Sequence, residues 1–279
     1  MKIAVLVPSH IYYSDQIERL VKCLNSLCGQ TVIPDIIVSI SFENDTYKYE
    51  LSNLIRNYPS VKFKFSAQQK FQMEHLLQLS QLVCNYDMIM FCDDDDTYLP
   101  VRVEKFMDAF EKMKEYCDKM NIEFGGVREV KNAKTFDEAP EYWAYGIPPS
   151  LLDNFFNRIM GYEDLMRHKF ADMYLRNYLK RTGGESIMFA TLVPDISGVT
   201  MYEYTIDNPN SICMRDKLQK QTTKTAQAII RDNVTLCLIC DRTDLLVKHM
   251  DAASAPLSRL NEVVPDAPRI KSLIRTLYN

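Results

Sequence analysis

The chain has 279 residues, 47% hydrophobic and 25% charged, with 33 Lys and Arg against 37 Asp and Glu and a net charge of −4. This is an ordinary globular composition, long enough for one large α/β domain with an appendage, and it excludes a disordered or fibrous chain. It also excludes the global basic field that holds nucleic acid or an anionic membrane surface.

The opening MKIAVLVPSHIYYSD carries one Lys and an apolar stretch too short for a signal peptide. No run approaches the roughly 18–20 apolar residues of a membrane span. Eight Cys are too sparse for a disulfide scaffold, and the lone CxxC at Cys237 and Cys240 has no second pair, so neither a zinc site nor a secreted framework is expected. Cys84 and Cys92 read as core thiols, and the expected setting is a reducing cytoplasm.

Residues 3–8 (IAVLVP) form a continuous apolar run, the pattern of a buried parallel strand. Residues 15–29 place Ile17, Leu20, Val21, Leu24 and Leu27 on one helical face, with Gly29 as a stop. Strands are expected at 35–41, 61–66 and 87–92, and helices at 47–57 and 71–84. Strand–helix alternation at this spacing predicts a mostly parallel sheet with helices on both faces. Beyond residue 100 the pattern loosens. A long helix is expected at 101–120, a strand at EFGGVREV, a Pro- and aromatic-rich loop at 137–150, helical sequence at 162–181, and strands at 187–193 and 199–205. Gly125 and Gly126 match no phosphate-loop pattern. The tail 215–279 has 11 Lys and Arg against 7 Asp and Glu, and reads as a mainly helical extension suited to homodimerisation.

The sharpest feature is Asp93-Asp94-Asp95-Asp96, directly after the apolar run DMIMFC. Four adjacent carboxylates repel one another, and beside a buried strand they need a compensating positive charge. In open α/β sheets such strand ends face the ligand crevice. Hard oxygen ligands select Mg²⁺ or Mn²⁺, ions that are commonly shared with substrate phosphates.

The segment FCDDDDTYLPVRV resembles the DxD region of GT-A fold glycosyltransferases, in particular the inverting family 2. There the pattern is apolar–apolar–Asp–x–Asp–Asp with a Pro four residues past the last acid, matched here by Asp93, Asp95, Asp96 and Pro100. VLVPSH followed by CLNSLCGQT is similar to that family's opening strand and helix, and DIIVSISFEND stands where it has "eiivvdDgS". The chain also resembles the small soluble glycosyltransferases of large algal DNA viruses. The resemblance implies a GT-A domain over 1–214, with a nucleotide-binding half (1–100) and an acceptor and catalytic half (101–214), followed by the extension 215–279. It implies that Pro8, Ser9 and His10 line the base and ribose, and that Glu43, with Asp45 as a rival, contacts the base. The family's Arg-Asn pair before the fourth strand is missing, and Lys70 and His75 are the nearest groups for phosphate. Asp94 or Asp93 would contact the ribose, and Asp95, with Asp93, would hold the metal.

The resemblance also places a general base in an "ED" motif about eleven residues before a Gly. Counting back from Gly183 reaches Asp172, with Ala171 in the Glu position; Glu163-Asp164 matches the letters at a different spacing, leaving Asp164 as the alternative. MYEYTIDNPNSIC is similar to the family's closing segment, with Tyr204 in the Tyr position and Asp207, in the His position, as a possible metal ligand. Trp143 and Tyr145, in the aromatic loop, are placed to bind a sugar acceptor. The expected activity is metal-dependent, inverting transfer of one sugar from a nucleotide-diphosphate sugar, such as UDP-glucose or UDP-xylose, to a glycan. The alternatives are a nucleotidyltransferase, disfavoured by the lack of a Gly- and Lys-bearing loop after the first strand, and a degenerate GT-A domain retained for binding.

Overall fold

The computed structural model describes residues 1–130, 141–160, 166–167, 171–182, 187–193 and 200–205, all within the compact unit Met1–Asp207. In chain order these form β1 (Ile3–Ile11), α1 (Ser14–Cys28), β2 (Asp35–Phe42), α2 (Asp45–Leu54), β3 (Lys62–Phe65), α3 (Gln72–Ser80), β4 (Met88–Phe91) and β5 (Thr97–Tyr98). They continue with α4 (Arg102–Met120), β6 (Glu123–Glu129), β7 (Tyr145–Ile147), α5 (Pro149–Ile159), α6 (Asp172–Thr182), β8 (Ile187–Leu192) and β9 (Tyr202–Glu203). Seven strands make one sheet in the order β3-β2-β1-β4-β7-β6-β8, and β5 pairs with β9 in a two-stranded ribbon.

The first half follows the apolar pattern closely. Ile3 to Val7 and all of β4 are buried, as strands covered by helices on both sides must be. Ile17, Leu20, Leu24 and Leu27 of α1 are at most 1% exposed, each removing about 1.5–3 kcal/mol of apolar cost from water. The α1 entry is set by Gln16, whose Oε1 accepts the backbone N–H groups of Tyr12 and Tyr13. Asn44 caps α2 by accepting from the Tyr47 N–H, which starts that helix two residues earlier than its apolar pattern suggests. Cys84 is exposed rather than a core thiol, because α3 ends at Ser80 and residues beyond it turn over the surface; Cys92 is buried as expected.

One divergence in the sheet creates the crevice. β1 and β2 stay paired in parallel from Ala4↔Asp35 to Ile11↔Phe42, whereas β1 and β4 pair only from Ile3↔Met88 to Leu6↔Phe91. Beyond Leu6 the β1 edge therefore faces an opening. This is also where strand order reverses, with β2 and β3 on one side of β1 and β4 on the other, the position where ligands enter such sheets.

The second half departs from the expected pattern. Residues 142–144 form a 3₁₀ turn and 145–147 a strand, β7, antiparallel to both β4 and β6, so the aromatic-rich stretch is part of the sheet and not a loop. Gly126 has φ +123 beside a bulge against β8, and a Cβ there would lie 2.2 Å from the Gly146 carbonyl oxygen. The two glycines of EFGGVREV thus serve close strand packing. Arg102, at the start of α4 and fully buried, pairs with Glu129 of β6, donates to the Trp143 carbonyl oxygen at 3.0 Å, and lies against the Tyr98, Phe106 and Tyr202 rings. Glu129 in turn accepts the Met201 N–H at 2.5 Å, which ties residues 200–205 to the sheet. Asp164, Gly183, Asp207, the CxxC and the tail 215–279, with the boundary expected at its start, lie outside the described residues.

Candidate active site

Two surfaces face each other across the opening beyond Leu6. On the first, Ser9 and His10 at the end of β1 lie beside Ser39 and Ser41 of β2, with α3 behind. His10 Nδ1 is 2.6 Å from Ser41 Oγ, and its Nε2 is 3.5 Å from Glu43 Oε2. Glu43 is thus the acid that faces His10, while Asp45 sits exposed in the first turn of α2. His75 is 1% exposed and sits between Ser39 Oγ (2.7 Å) and Ser41 Oγ (3.0 Å). Burial, reinforced by Lys70 and His10, pushes its imidazole down to about 3, so the ring is neutral. His75 is thus not a surface histidine: its ring is held inside the Ser39–Ser41 network. Lys70 is likewise engaged, its Nζ donating to Gln78 Oε1 at 3.1 Å.

The second surface is the acidic turn, closed by the Asp96 N–H donating to the Asp93 carbonyl. Each of three carboxylates has its own partners. Asp93 accepts from Gln72 Nε2 at 2.9 Å and from the Tyr142 hydroxyl. Asp94 accepts from Ser9 Oγ at 2.5 Å, a bond that bridges β1 to the turn. Asp96 is fully buried and accepts from the Tyr202 hydroxyl and the Thr205 N–H, both at 2.7 Å. The Tyr202 oxygen also accepts the Asp93 N–H at 3.1 Å, and Thr205 Oγ1 donates to the Asp95 carbonyl.

All these partners are neutral; their hydrogen bonds favour the charged carboxylates but do not outweigh burial and mutual repulsion. Desolvation, followed by the neighbouring aspartates, pushes Asp94 and Asp96 up to about 7 and Asp93 well above the usual carboxylate range. Crowded oxygens whose charged forms are this disfavoured fit a hard divalent cation. Among the described residues no three carboxylate, imidazole or thiol groups are gathered as an ion cage.

Asp172 opens α6, where the positive end of the helix dipole favours its carboxylate. It lies close enough to the acidic turn for its charge to raise both Asp93 and Tyr142. The base candidate therefore lies within electrostatic reach of the turn and of Tyr142.

Two expected acceptor contacts move inward. Trp143 is 4% exposed and stacks on Tyr202 with ring centroids 3.9 Å apart; Tyr145 is 1% exposed within β7. Trp143 backs the turn through Tyr202, whereas Tyr145 packs edge-on against Phe189 of β8, and both rings are buried. The tyrosine that enters the site from the closing segment is Tyr202, while Tyr204 is 52% exposed. The sequence does not single out Gln72, Tyr142 and Tyr202 as site residues, and Thr205 stands in it only as the replacement of the family's Arg. The alternation in MYEYT was visible, but its partner, the two-residue β5, was not.

The profile of glycosyl transferase family 2 matches residues 5–182, well over half of the chain and all of the site just described except its closing segment. The chain belongs to glycosyl transferase family 2. No curated protein matches it. Among solved structures, this family 2 chain is similar to S. aureus TarS 1–349 in complex with UDP-GlcNAc, at 14% identity and TM-score 0.48, over 90% of this chain and 72% of that one. It is also similar to the mannosyltransferase PcManGT from Pyrobaculum calidifontis in complex with GDP-Man and Mn²⁺, at 12% identity and TM-score 0.48, over 99% and 80%. A longer S. aureus TarS structure matches at 14% identity and TM-score 0.46 over 87% of this chain, which spans 43% of its length. No described helix is long and apolar enough to cross a membrane.

Proposed function

We propose that this family 2 chain transfers a single sugar, with inversion, from a nucleotide-diphosphate sugar (UDP-linked in the first instance) to a hydroxyl of a glycan acceptor. The observation that carries the reading is a juxtaposition: an acidic turn at the ends of β1 and β4, and a carboxylate at a helix N-terminus whose charge reaches it.

The nucleoside end is assigned to Pro8, Ser9, His10 and Glu43, with Asp94 or Asp93 toward the ribose. Asp94, held by Ser9, and Asp93, held by Tyr142 and Gln72, are pre-oriented by these bonds. Mn²⁺ or Mg²⁺ would be held by Asp95 with Asp93, and by Asp207 beyond the described residues. Diphosphate oxygens would complete its shell, and the ion supplies Lewis-acid neutralisation of the leaving diphosphate. Asp96, occupied by Tyr202 and Thr205, keeps the turn in shape. Asp172 takes the proton of the acceptor hydroxyl as that oxygen attacks the anomeric carbon from the face opposite the diphosphate, which inverts the configuration.

Ala171 in place of the family's Glu favours a second reading, a binding module without turnover. Calorimetry with UDP, GDP and dTDP, with and without Mn²⁺, followed by a screen of nucleotide-sugars for metal-dependent hydrolysis, tests both. Mn²⁺-dependent binding of one diphosphate with turnover is expected, and Asp95→Ala should abolish the Mn²⁺-dependent part of the affinity. Binding without turnover of any donor would favour the module, and failure of every diphosphate to bind would remove both readings.

A further inference from the structure

The surface facing the acidic turn carries more hydrogen bonds than holding two strand ends requires, and their directions can be worked out. Lys70 Nζ can only donate, so the Gln78 atom 3.1 Å from it is the amide oxygen. Ser39 Oγ gives its one hydrogen to the same oxygen at 2.9 Å. Ser39 must then accept from His75 Nδ1 at 2.7 Å, which places a proton on that nitrogen. The titratable groups acting on the His75 ring are Lys70 and His10; buried beside them the ring is neutral, and its Nε2 is bare. That nitrogen accepts the only hydrogen of Ser41 at 3.0 Å. Ser41 therefore accepts from the Lys70 N–H at 3.2 Å and from His10 Nδ1 at 2.6 Å. His10 carries its proton on Nδ1 as well. Its Nε2 points toward Glu43, 3.5 Å away, and is buried with no hydrogen-bond partner among the described residues; burial outweighs the pull of Glu43 and holds the ring below its ordinary pKa, which favours the neutral form.

We propose that the relay from Lys70 through Gln78, Ser39, His75 and Ser41 is a tautomer lock on His10, with His75 as a positioning residue, and that neutral His10 and Glu43 form a two-acceptor notch for a hydrogen-bond donor of the ligand. Which nitrogen of a histidine is exposed as an acceptor follows from the bond the other nitrogen makes. Without the relay nothing would hold the His10 proton on the inward side. With it, the notch offers an imidazole lone pair and a carboxylate, and a donor on the ligand can answer both. This rests on the reading of the cleft as a nucleoside site, where that donor is a ribose hydroxyl or an imide N–H of the base.

The full chain labelled with ¹⁵N-histidine has only four histidines, and long-range ¹⁵N–¹H spectra at pH 7.5 report the protonated nitrogen of each. Both His10 and His75 are expected in the Nδ1–H form without any ligand. His75→Leu should release His10 to the Nε2–H form and weaken UDP binding about tenfold, the equivalent of one hydrogen bond. His75→Gln, whose amide can donate to Ser39 and accept from Ser41, should restore both. Wild-type His10 protonated on Nε2, or a His10 tautomer unchanged in His75→Leu, would overturn the lock; the wild-type spectrum decides even if the variants do not fold. Loss of affinity for N3-methyl-UDP assigns the donor to the base and loss for 2′-deoxy-UDP to the ribose, whereas both analogues binding like UDP would overturn the notch. Tautomers as stated with no nucleotide bound would sink the nucleoside reading and leave the lock standing.

Discussion

The two surfaces of the cleft are built on opposite electrostatic principles. On the β1–β2 side, Ser39, Ser41, His75, Gln78 and Lys70 satisfy one another, and the network ends on a single unanswered atom, His10 Nε2. Across the gap, Asp93, Asp94 and Asp96 have partners for their lone pairs but none of the described ones answers their charge. The first surface is satisfied except at that one atom and suits recognition of a neutral, directional group. The second carries crowded carboxylates that no described partner neutralises, which is the feature the proposed metal diphosphate would answer. Shape is thus supplied by closed hydrogen-bond networks, and affinity for charge by leaving a charge unopposed.

The largest test of this contrast removes the carboxylate that belongs to neither surface. Asp172→Asn should lower kcat by about 10²–10⁴ with nucleotide affinity unchanged, read by single-turnover kinetics and calorimetry. Equal loss of both would place Asp172 in donor binding. Next, Arg102→Met leaves Glu129 buried without its cation and should cost about 3–5 kcal/mol in urea unfolding. Because Glu129 also holds Met201, the acidic turn should loosen with it.

The neutral surface has a pH signature. His75 is held well below its unfolded value of 6.5, at about 3, so the unfolded chain binds the extra proton between these values, and stability falls as pH falls through that window. From pH 6.5 to 4.5 the wild type should lose about 2–3 kcal/mol more than His75→Gln, measured by parallel denaturation curves. An identical slope in both would show that the ring titrates normally. Smallest, Tyr202→Phe removes the hydroxyl shared by Asp96 and the Asp93 N–H, and should cost about 1–2 kcal/mol in thermal unfolding while weakening Mn²⁺-dependent nucleotide binding.

Much of the first half was legible because its signal is local. The apolar runs of β1, β2 and β4 and the 3–4 spacing of α1 need no distant partner to be read, and the observed bounds fall within one to three residues of the pattern. The missed α5 was legible too: Leu151, Leu152, Phe155, Phe156 and Ile159 recur at helical spacing just after Pro148-Pro149. β7 was not, since YGI is three residues in an aromatic stretch and becomes a strand only by pairing with β4 and β6. The same holds for Trp143, whose aromatic surroundings suggest a sugar platform until Tyr202, 59 positions away in the chain, covers its face.

By itself the sequence determined that four carboxylates would crowd at the end of a buried strand, and that an alternating α/β chain would put that end at a crevice, because repulsion, burial and periodicity are properties of neighbouring residues. Tertiary structure alone decided which aspartate does what. Asp94 met Ser9, Asp93 met Tyr142 and Gln72, and Asp96 met Tyr202 and Thr205, partners 21 to 109 residues away on other elements. Adjacent identical side chains differ only in the directions the turn gives them, and that turn takes its shape from those distant bonds.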